Sequence, residues 1–526
     1  MMVYRQSSEV KTIGWLLENW LTNSERLAPA MQTVITADLV LDSRRLTSGD
    51  LFIALPGEQY DGADYIDEVI AKGAIAVLLP SVSTEFTYQW RQGIPLIFMP
   101  NLAQHLSAIA VRFYDDPSTK IPVIGVTGTN GKTTCVHLLA QLFAFSGHSC
   151  GTVGTLGCDI YPANGDQRLS NGKANATNLI SPLTTPDELT IQAKMREMVN
   201  AGVEIIALEA SSHGLVQGRI AAVDVNTAVF TNLTRDHLDY HGDMESYGKA
   251  KSMLFTMPSV NSAVINIDDA FGRQLVTELS NSLSVVTYSL DDSTAHFYLT
   301  HVELESKGVL AMLHSPYGAI SFRSQLLGEF NLSNLLAAFA VFITNSDKLQ
   351  QITTYASRLK PVAGRMEYIA NNAGIDVVVD FAHTPDALEK ALAAISPHCT
   401  GQLWCIFGCG GNRDSSKRPL MAAASEQSAD KIIVTSDNPR NESPAVIIED
   451  ICTGFSPSAD YQIIQDRRLA IGAAIEQMRS RDLLLIAGKG HENYQQIGDK
   501  KLPFSDQLQA RMALRLREQC GQFAHE

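Results

Sequence analysis

The 526-residue chain has little cysteine: it carries eight, and only Cys405 and Cys409 stand close, in a C-x3-C spacing with no second pair to complete a zinc site. Reduced thiols in a cytosolic protein are the expectation. Long apolar runs are also missing. None approaches the about 20 consecutive apolar residues of a membrane-spanning helix, and the opening MMVYRQSSEVKTIGWLLENW lacks the extended apolar stretch of a signal peptide. A cytoplasmic protein with no membrane partner is expected. Positive charge is in deficit, 41 Lys and Arg against 56 Asp and Glu, and the net charge of −15 argues against a general nucleic-acid or anionic-membrane surface. Any anionic ligand must be gripped by local groups working against the overall field. No internal repeat or low-complexity tract interrupts the chain.

What is present is an ordinary globular composition, 45% hydrophobic and 18% charged. At roughly 100–200 residues per domain, the length suggests three units. Several short apolar runs end in glycine or polar clusters and lead into helical patterns: IPVIGVTGTNGKTT, VEIIALEASSHG, DVVVDFAHTPD, QLWCIFGCGGNRD, KIIVTSDNPR and DLLLIAGKGHE. Continuous apolar strands alternating with helices predict an α/β fold of parallel sheets covered on both faces. Ligands in such sheets gather at the carboxyl ends of the strands, where these polar clusters fall. The zones are 1–100, with strand-like LFIALPG and AIAVLLP, then 101–361, then 362–526, the last boundary lying in RLKPVAGRMEYI. The polar segment 161–182 reads as a long loop or hairpin.

In VIGVTGTNGKTT the apolar strand runs into Gly128-Thr129-Asn130-Gly131-Lys132-Thr133-Thr134, and a helix is expected from about Cys135. Backbone N–H groups of such a loop and of a helix N-terminus converge on phosphate oxygens, lysine supplies charge, and a hydroxyl can ligate magnesium. A strict G-x4-G-K-[ST] loop would place glycine at Val126, so this is a variant nucleoside triphosphate loop. Glu209, ending the apolar run in IIALEASSHG, stands where an acid can hold magnesium, although a strand-end glutamate is often merely solvated. Asn232, Asp236, His237, Asp239, His241 and Asp243 crowd into one short stretch; their density suits metal or phosphate chemistry, but the spacing alone selects no ligand set.

The loop T-G-T-N-G-K-T and the segment T-N-L-T-R-D-H-L-D-Y-H-G resemble the Mur ligase family, enzymes that join a carboxylate to an amine with ATP and that count folylpolyglutamate synthase among their relatives. The resemblance runs from about Leu41 to Gln495. It implies three α/β domains: a small one binding a UDP-linked precursor, a central P-loop-type parallel-sheet ATPase, and a C-terminal Rossmann-like domain for the amino acid. It further implies ATP as co-substrate and two magnesium ions, one held by Thr133 and Glu209, the second with help from Glu209 and His237. The family's carbamylated lysine matches Lys251, with Lys249 a neighbouring decoy; a carbamate needs a neutral amine to react with carbon dioxide and converts a cation into a metal-binding anion. Gly328 to Asn334 matches the family's G-x-[FH]-N-x-x-N, assigning Asn331 and Asn334 to the nucleotide, although the residues alone read as an N-cap before LLAAFAVF. G-R-M-E and D-F-A-H-T-P bring Arg365 and Asp380 to the same nucleotide from the third domain, which implies domain closure.

For the precursor, the resemblance implies contacts from Leu41, Ser43 and Glu58-Gln59-Tyr60 in the first domain, and from Thr184, Thr185, Ser211, Gln217 and Arg219 in the second. Glu58 stands where the family often has histidine, and an acid beside a diphosphate can contribute only through its backbone. The amine rests on D-N-P-R. Asp437, Asn438 and Pro439 read as turn chemistry, Asp and Asn bonding their own local backbone, which leaves Arg440 unexplained. The family's diaminopimelate-adding members carry D-N-P-R here, and a guanidinium fork suits bidentate capture of a carboxylate that lysine lacks. Arg413, Gly488 and Glu492 match the remaining contacts. The expected reaction joins the D-glutamate γ-carboxylate of UDP-N-acetylmuramoyl-L-alanyl-D-glutamate to meso-diaminopimelate through an acyl phosphate, by a monomer. An enzyme adding L-lysine or another amine, and a non-catalytic precursor sensor, remain alternatives at this point.

Overall fold

The computed structural model describes residues 11–26, 28–57, 60–165, 169–170, 183–305, 307–346 and 348–523. Glu58 and Gln59 lie outside these residues, as does most of the polar segment 161–182.

Three sheets follow one another along the chain. The first has five strands in the order Leu39–Val40, Leu51–Ile53, Ala76–Ser81, Ile94–Pro100, Thr87–Arg91, parallel except for the last. The helix Leu102–Phe113 packs Leu106, Ile109 and Phe113 into the core of this sheet with Leu78, Ile97 and Met99.

The second sheet has eleven strands. At its centre Val123–Thr127 lies between Ile205–Glu209 and Thr227–Phe230, all parallel, with Cys150–Gly154 on one side and Ser262–Asn266 then Ser284–Ser289 on the other. Phe297–Glu305 continues the parallel set, and antiparallel pairings finish both edges, Phe297–Glu305 with Gly308–Ser315 and then Gly318–Ser324 at one and Cys150–Gly154 with Gly157–Tyr161 and then Leu169–Ser170 at the other. The last pairing sets Leu169 and Ser170 antiparallel to Ile160 and Asp159 at the start of the polar segment. Central strands such as Val123–Thr127 are buried along their whole length because helices cover both faces. One of these helices, Lys132–Phe145, is buried at thirteen of its fourteen residues and packs on Glu329–Ser346, which is apolar on nearly every face. A helix apolar all round must lie inside a core.

The third sheet runs Glu367–Tyr368, Asp376–Asp380, Leu483–Ala487, Leu403–Phe407, Lys431–Val434, Tyr461–Ile463, parallel apart from its first strand. A two-stranded ribbon, Tyr494–Ile497 with Lys500–Pro503, stands beside it. The expected parallel α/β architecture is therefore present in each sheet. Two local expectations are corrected. The helix after the glycine loop starts at Lys132 rather than near Cys135, because Gly131 already supplies the break. Asn331 and Asn334 lie inside the helix that begins at Glu329, so neither is its N-cap.

Candidate active site

The strand Val123–Thr127 delivers the glycine loop to the carboxyl edge of the central sheet. Gly128 and Gly131 take φ of +151° and +89°, and a Cβ at these positions would lie 1.9 Å from Thr231 Oγ1 and 2.1 Å from Asn334 Oδ1. Glycine is thus required by backbone shape and by close approach together. The loop is pinned from the next strand end: Thr129 N donates to Asn232 O at 2.8 Å, Asn130 N to Asn232 Oδ1 at 2.9 Å, and Thr231 Oγ1 to Asn130 O at 2.6 Å. Lys132 Nζ folds back onto the carbonyls of Gly128 and Thr129, both at 2.8 Å. Burial lowers its pKa, while Glu209 and Asp236 work in the opposite sense and Arg365 adds to the lowering.

Glu209 ends the adjacent parallel strand and is almost wholly buried. Its carboxylate accepts from Thr133 Oγ1 at 3.0 Å, Thr155 N at 2.9 Å and Thr155 Oγ1 at 3.1 Å. Burial raises its pKa, with Lys132 and the three hydrogen bonds opposing. Gly154 makes room for this carboxylate, since a Cβ there would meet Glu209 Oε1 at 2.2 Å. Sequence reasoning missed Gly154 and Thr155; a glycine directly after an apolar strand, as in T-V-G-T, was the available signal.

The backbone of Glu209 faces a second cluster. Thr185 Oγ1 donates to Glu209 O at 2.7 Å and lies 2.9 Å from Ser211 Oγ, which caps the short helix Ser212–Val216 through Gly214 N at 3.1 Å. Arg219 Nη1 donates to Thr185 O at 2.7 Å and its Nη2 donates to Gln217 Oε1. Thr185, Ser211, Gln217 and Arg219 are therefore assembled beside Glu209, with Thr184 adjoining in the chain. Leu41, partly buried, packs against the first core; Ser43, buried, accepts Lys72 Nζ at its carbonyl; Tyr60 is exposed.

His237 has φ +52° and stands edge-on to His213, centroids 4.8 Å apart, in a group with Tyr240, His241 and Tyr247. Among the described residues no three His, Cys, Asp or Glu side chains converge as a metal-holding group. The two lysines of YGKAK separate sharply. Lys249 has a side chain 72% exposed and pairs with Glu245 at 2.6 Å. Lys251 is 1% exposed, with Nζ 4.2 Å from the Tyr247 ring centroid. Burial holds its pKa well below the ordinary lysine value, and Lys132 lowers it further against Asp236.

The third sheet brings Asp380 and Arg365 together. Asp380, buried at a strand end, accepts from Met366 N and Ala382 N, both at 2.8 Å. Burial raises its pKa, and Arg365 is the first opposing influence. The Arg365 guanidinium lies 4.7 Å from the Phe381 ring centroid. Asn334, at the glycine loop, also accepts from Cys135 Sγ, whereas Asn331 Nδ2 donates to Leu327 O at 2.8 Å.

D-N-P-R is clasped by three neighbours. Gly411 N donates to Asn438 O at 2.9 Å; Arg440 N donates to Gln496 O at 3.1 Å; and Gly488, at φ +116°, leaves room for Asp437, whose Oδ2 a Cβ would meet at 2.7 Å. Asn438 was expected to bond its own local backbone. Its side chain instead spans the site: Oδ1 accepts from Lys489 Nζ at 3.0 Å and Gln496 N at 2.8 Å, and Nδ2 donates to Glu492 Oε2 at 2.8 Å. The turn is a cross-link between loops because the ribbon after Glu492 brings stronger partners than the turn itself. Arg440 takes φ +51°, and its Nη1 donates to Gly411 O at 2.6 Å. Arg413 and Arg440 both border Gly410, whose Cβ position is 3.9 Å from Arg413 Cγ and 2.9 Å from Arg440 Nη1. Lys489 was not foreseen, though G-K-G after an apolar run had marked its loop.

Three family models match: Mur ligase family, catalytic domain, over residues 38–114; Mur ligase middle domain over 126–342; and Mur ligase, glutamate ligase domain, over 364–490. A protein of Ectopseudomonas mendocina named "UDP-N-acetylmuramoyl-L-alanyl-D-glutamate--2,6-diaminopimelate ligase" is 46% identical over 490 residues, covering 93% of this chain and 97% of its own. One of Pseudomonas aeruginosa with the same name is 46% identical over 485 residues, covering 92% and 96%. A solved structure of a ligase of that name is 34% identical with a TM-score of 0.66, covering 97% of this chain and all of its own.

Proposed function

The chain belongs to the Mur ligase family, and from that premise we propose the roles of its site residues. It is an ATP-dependent ligase of peptidoglycan synthesis, adding meso-diaminopimelate to the D-glutamate γ-carboxylate of UDP-N-acetylmuramoyl-L-alanyl-D-glutamate. One observation carries the site assignment: Glu209 touches the phosphate loop through Thr133 on its carboxylate and the Thr185 cluster through its own carbonyl. Nucleotide phosphate and precursor carboxylate would then meet across a single residue.

The N–H groups of Gly128 to Thr134 and the Lys132 ammonium receive the ATP phosphates, with Asn331 and Asn334 shaping the nucleotide side. Arg365, braced by Asp380, adds a cation from the third sheet. Thr184, Thr185, Ser211, Gln217 and Arg219 hold the precursor so that its carboxylate oxygen attacks the γ-phosphorus in line and ADP departs. Phosphorylation replaces an oxide leaving group with phosphate. The amine attacks the acyl carbon, the carbon–oxygen bond to phosphate breaks, and the ammonium sheds two protons overall. Contact between the second and third sheets would exclude water from the acyl phosphate.

Two magnesium ions belong to the proposal. The Thr133 hydroxyl and Glu209 carboxylate, 3.0 Å apart, are hard oxygen donors of the kind magnesium takes. Glu209, His237 and a carbamylated Lys251 would hold the second. Magnesium, when bound, offsets charge on the transferring phosphoryl group. Burial of Lys251 beside Lys132 supports carbamylation, since it favours the neutral amine.

At the other end of the site, Leu41, Ser43 and Tyr60, with Glu58 and Gln59 beyond the described residues, would bind the uridine nucleotide. Arg413 and Arg440 take the distal carboxylate of diaminopimelate, and Glu492 with the Gly488 carbonyl takes its ammonium; Asp437, Asn438 and Pro439 shape that pocket. The functional division is 1–100, 101–361 and 362–526, the first unit also gathering the helix Leu102–Phe113 onto its sheet. A cytoplasmic monomer completes the proposal; no helix among the described residues is long and apolar enough to cross a membrane. Phosphate release measured with each candidate amine tests the reading: meso-diaminopimelate should support turnover and L-lysine should not, and equal rates would overturn it.

A further inference from the structure

Lys489 is fully buried directly under the amine pocket. Its ammonium donates to Asn438 Oδ1 at 3.0 Å and Glu492 Oε2 at 2.9 Å and lies 3.7 Å from Asp437 Oδ1. These groups come from two different strand ends, and all three are side chains placed above in the amine pocket. With Lys489 and Gln496 N on its oxygen, the Asn438 amide must turn its nitrogen toward Glu492, where it donates at 2.8 Å. Lys489 therefore fixes both the direction of Asn438 and the position of the Glu492 carboxylate.

Beneath this layer Arg467 and Asp506 form a fully buried bidentate pair, with both bonds at 2.7 Å, and Arg467 Nη2 also reaches Ala487 O at 2.8 Å. That pair is neutral. Above it Asp437 and Glu492 share Lys489, and Asp437 Oδ2 and Arg467 Nη2 both border the Gly488 Cβ position, at 2.7 and 3.9 Å, so the two layers together carry one surplus negative charge. Arg440 and Arg413 lie at the neighbouring Gly410, available to a carboxylate. The pocket thus presents one unit of negative charge beside two guanidinium groups, which matches an amino-acid centre carrying ammonium and carboxylate together.

We propose that Lys489 is a positioning residue that sets amine specificity: by holding Asn438, Glu492 and Asp437 it limits the pocket to one surplus negative charge and so favours a zwitterionic centre over a bare ammonium. Without it, two carboxylates would face the ligand, and the bare side-chain ammonium of lysine would compete better. The inference rests on the diaminopimelate reading.

The test uses the full-length enzyme and amine-dependent phosphate release. Lys489→Met should raise KM for meso-diaminopimelate by at least ~30-fold, leave KM for ATP and for the UDP-linked precursor within about twofold, and reduce the preference for meso-diaminopimelate over L-lysine at least ~10-fold. Lys489→Arg, which keeps the charge, should retain that preference within about threefold. An unchanged KM for meso-diaminopimelate in Lys489→Met, or a parallel rise for all three substrates, would overturn the inference. Should Lys489→Met fail to fold, Lys489→Gln, which can still donate to Asn438 Oδ1 but carries no charge, decides: a raised KM for meso-diaminopimelate alone with a reduced preference over L-lysine supports the inference, and wild-type KM and preference or a second failure to fold overturns it in favour of a purely structural lysine. Wild-type enzyme that ignores meso-diaminopimelate would instead refute the underlying reading.

Discussion

Replacing Arg440 separates recognition of the amine from maintenance of the fold. Its backbone sits at φ +51°, a region that asparagine tolerates better than most side chains, so Arg440→Asn removes the guanidinium with little backbone penalty. The side chain makes one hydrogen bond among the described residues, Nη1 to Gly411 O at 2.6 Å, and a guanidinium has five N–H donors. Donors therefore remain for a ligand carboxylate. Losing a charge-assisted contact to that carboxylate costs about 2 kcal/mol, which corresponds to roughly 30-fold in kcat/KM for meso-diaminopimelate. Losing the Gly411 contact costs stability of about 1 kcal/mol, visible as a lower Tm without ligand. L-lysine has no second carboxylate, so its residual kcat/KM should stay within about threefold. The assay is amine-dependent phosphate release at saturating ATP and precursor, with KM for ATP as a control. Equal losses for both amines, or none for meso-diaminopimelate, would refute the assignment of Arg440 to the distal carboxylate.

Gly131→Ala should abolish nucleotide binding, because the new methyl would sit 2.1 Å from Asn334 Oδ1 in a backbone at φ +89°; calorimetric titration with ADP checks it, and wild-type affinity would contradict it. Glu209→Gln should raise the Tm of the ligand-free enzyme at pH 7 while eliminating turnover. The folded-state pKa of Glu209 is raised, so ionisation opposes folding at neutral pH and the penalty fades as pH falls through the folded pKa toward 4.5; the Tm difference should shrink over that range. Lys251 has the converse sign. Its folded pKa lies below 10.5, so the unfolded chain holds the proton more tightly and stability is lost as pH falls from 10.5 toward the folded value. In carbon-dioxide-free buffer Lys251→Met should therefore be more stable than wild type at pH 7, with the advantage closing toward pH 10.5, and it should be inactive at every pH.

Parallel architecture was legible because each central strand is a continuous apolar run buried on both faces, as in Val123–Thr127 and Leu483–Ala487. The glycine loop was legible because its glycines answer to backbone shape, which leaves a mark in the residues themselves. The preference for Lys251 over Lys249 comes from family register in the sequence, and burial separates the two in the structure; two lysines two apart on a helix look alike until one is inside. Partnerships across the chain were not legible. Glu209 meets Thr155 and Thr185, and Asn438 meets Lys489 and Gln496, contacts that depend on which strands become neighbours. The expectation that the Asn438 side chain bonds its own turn failed for the same reason, since local backbone bonding is the only partner a short segment reveals.

Catalysis rests on activation of the γ-carboxylate as an acyl phosphate and its capture by meso-diaminopimelate. The most direct measurement supplies precursor with both γ-carboxylate oxygens labelled with oxygen-18, together with ATP and meso-diaminopimelate, and weighs the products by mass spectrometry. One labelled oxygen per turnover should appear in inorganic phosphate and one should stay in the new amide. Unlabelled phosphate, or label transfer to phosphate without amide formation, would contradict the account.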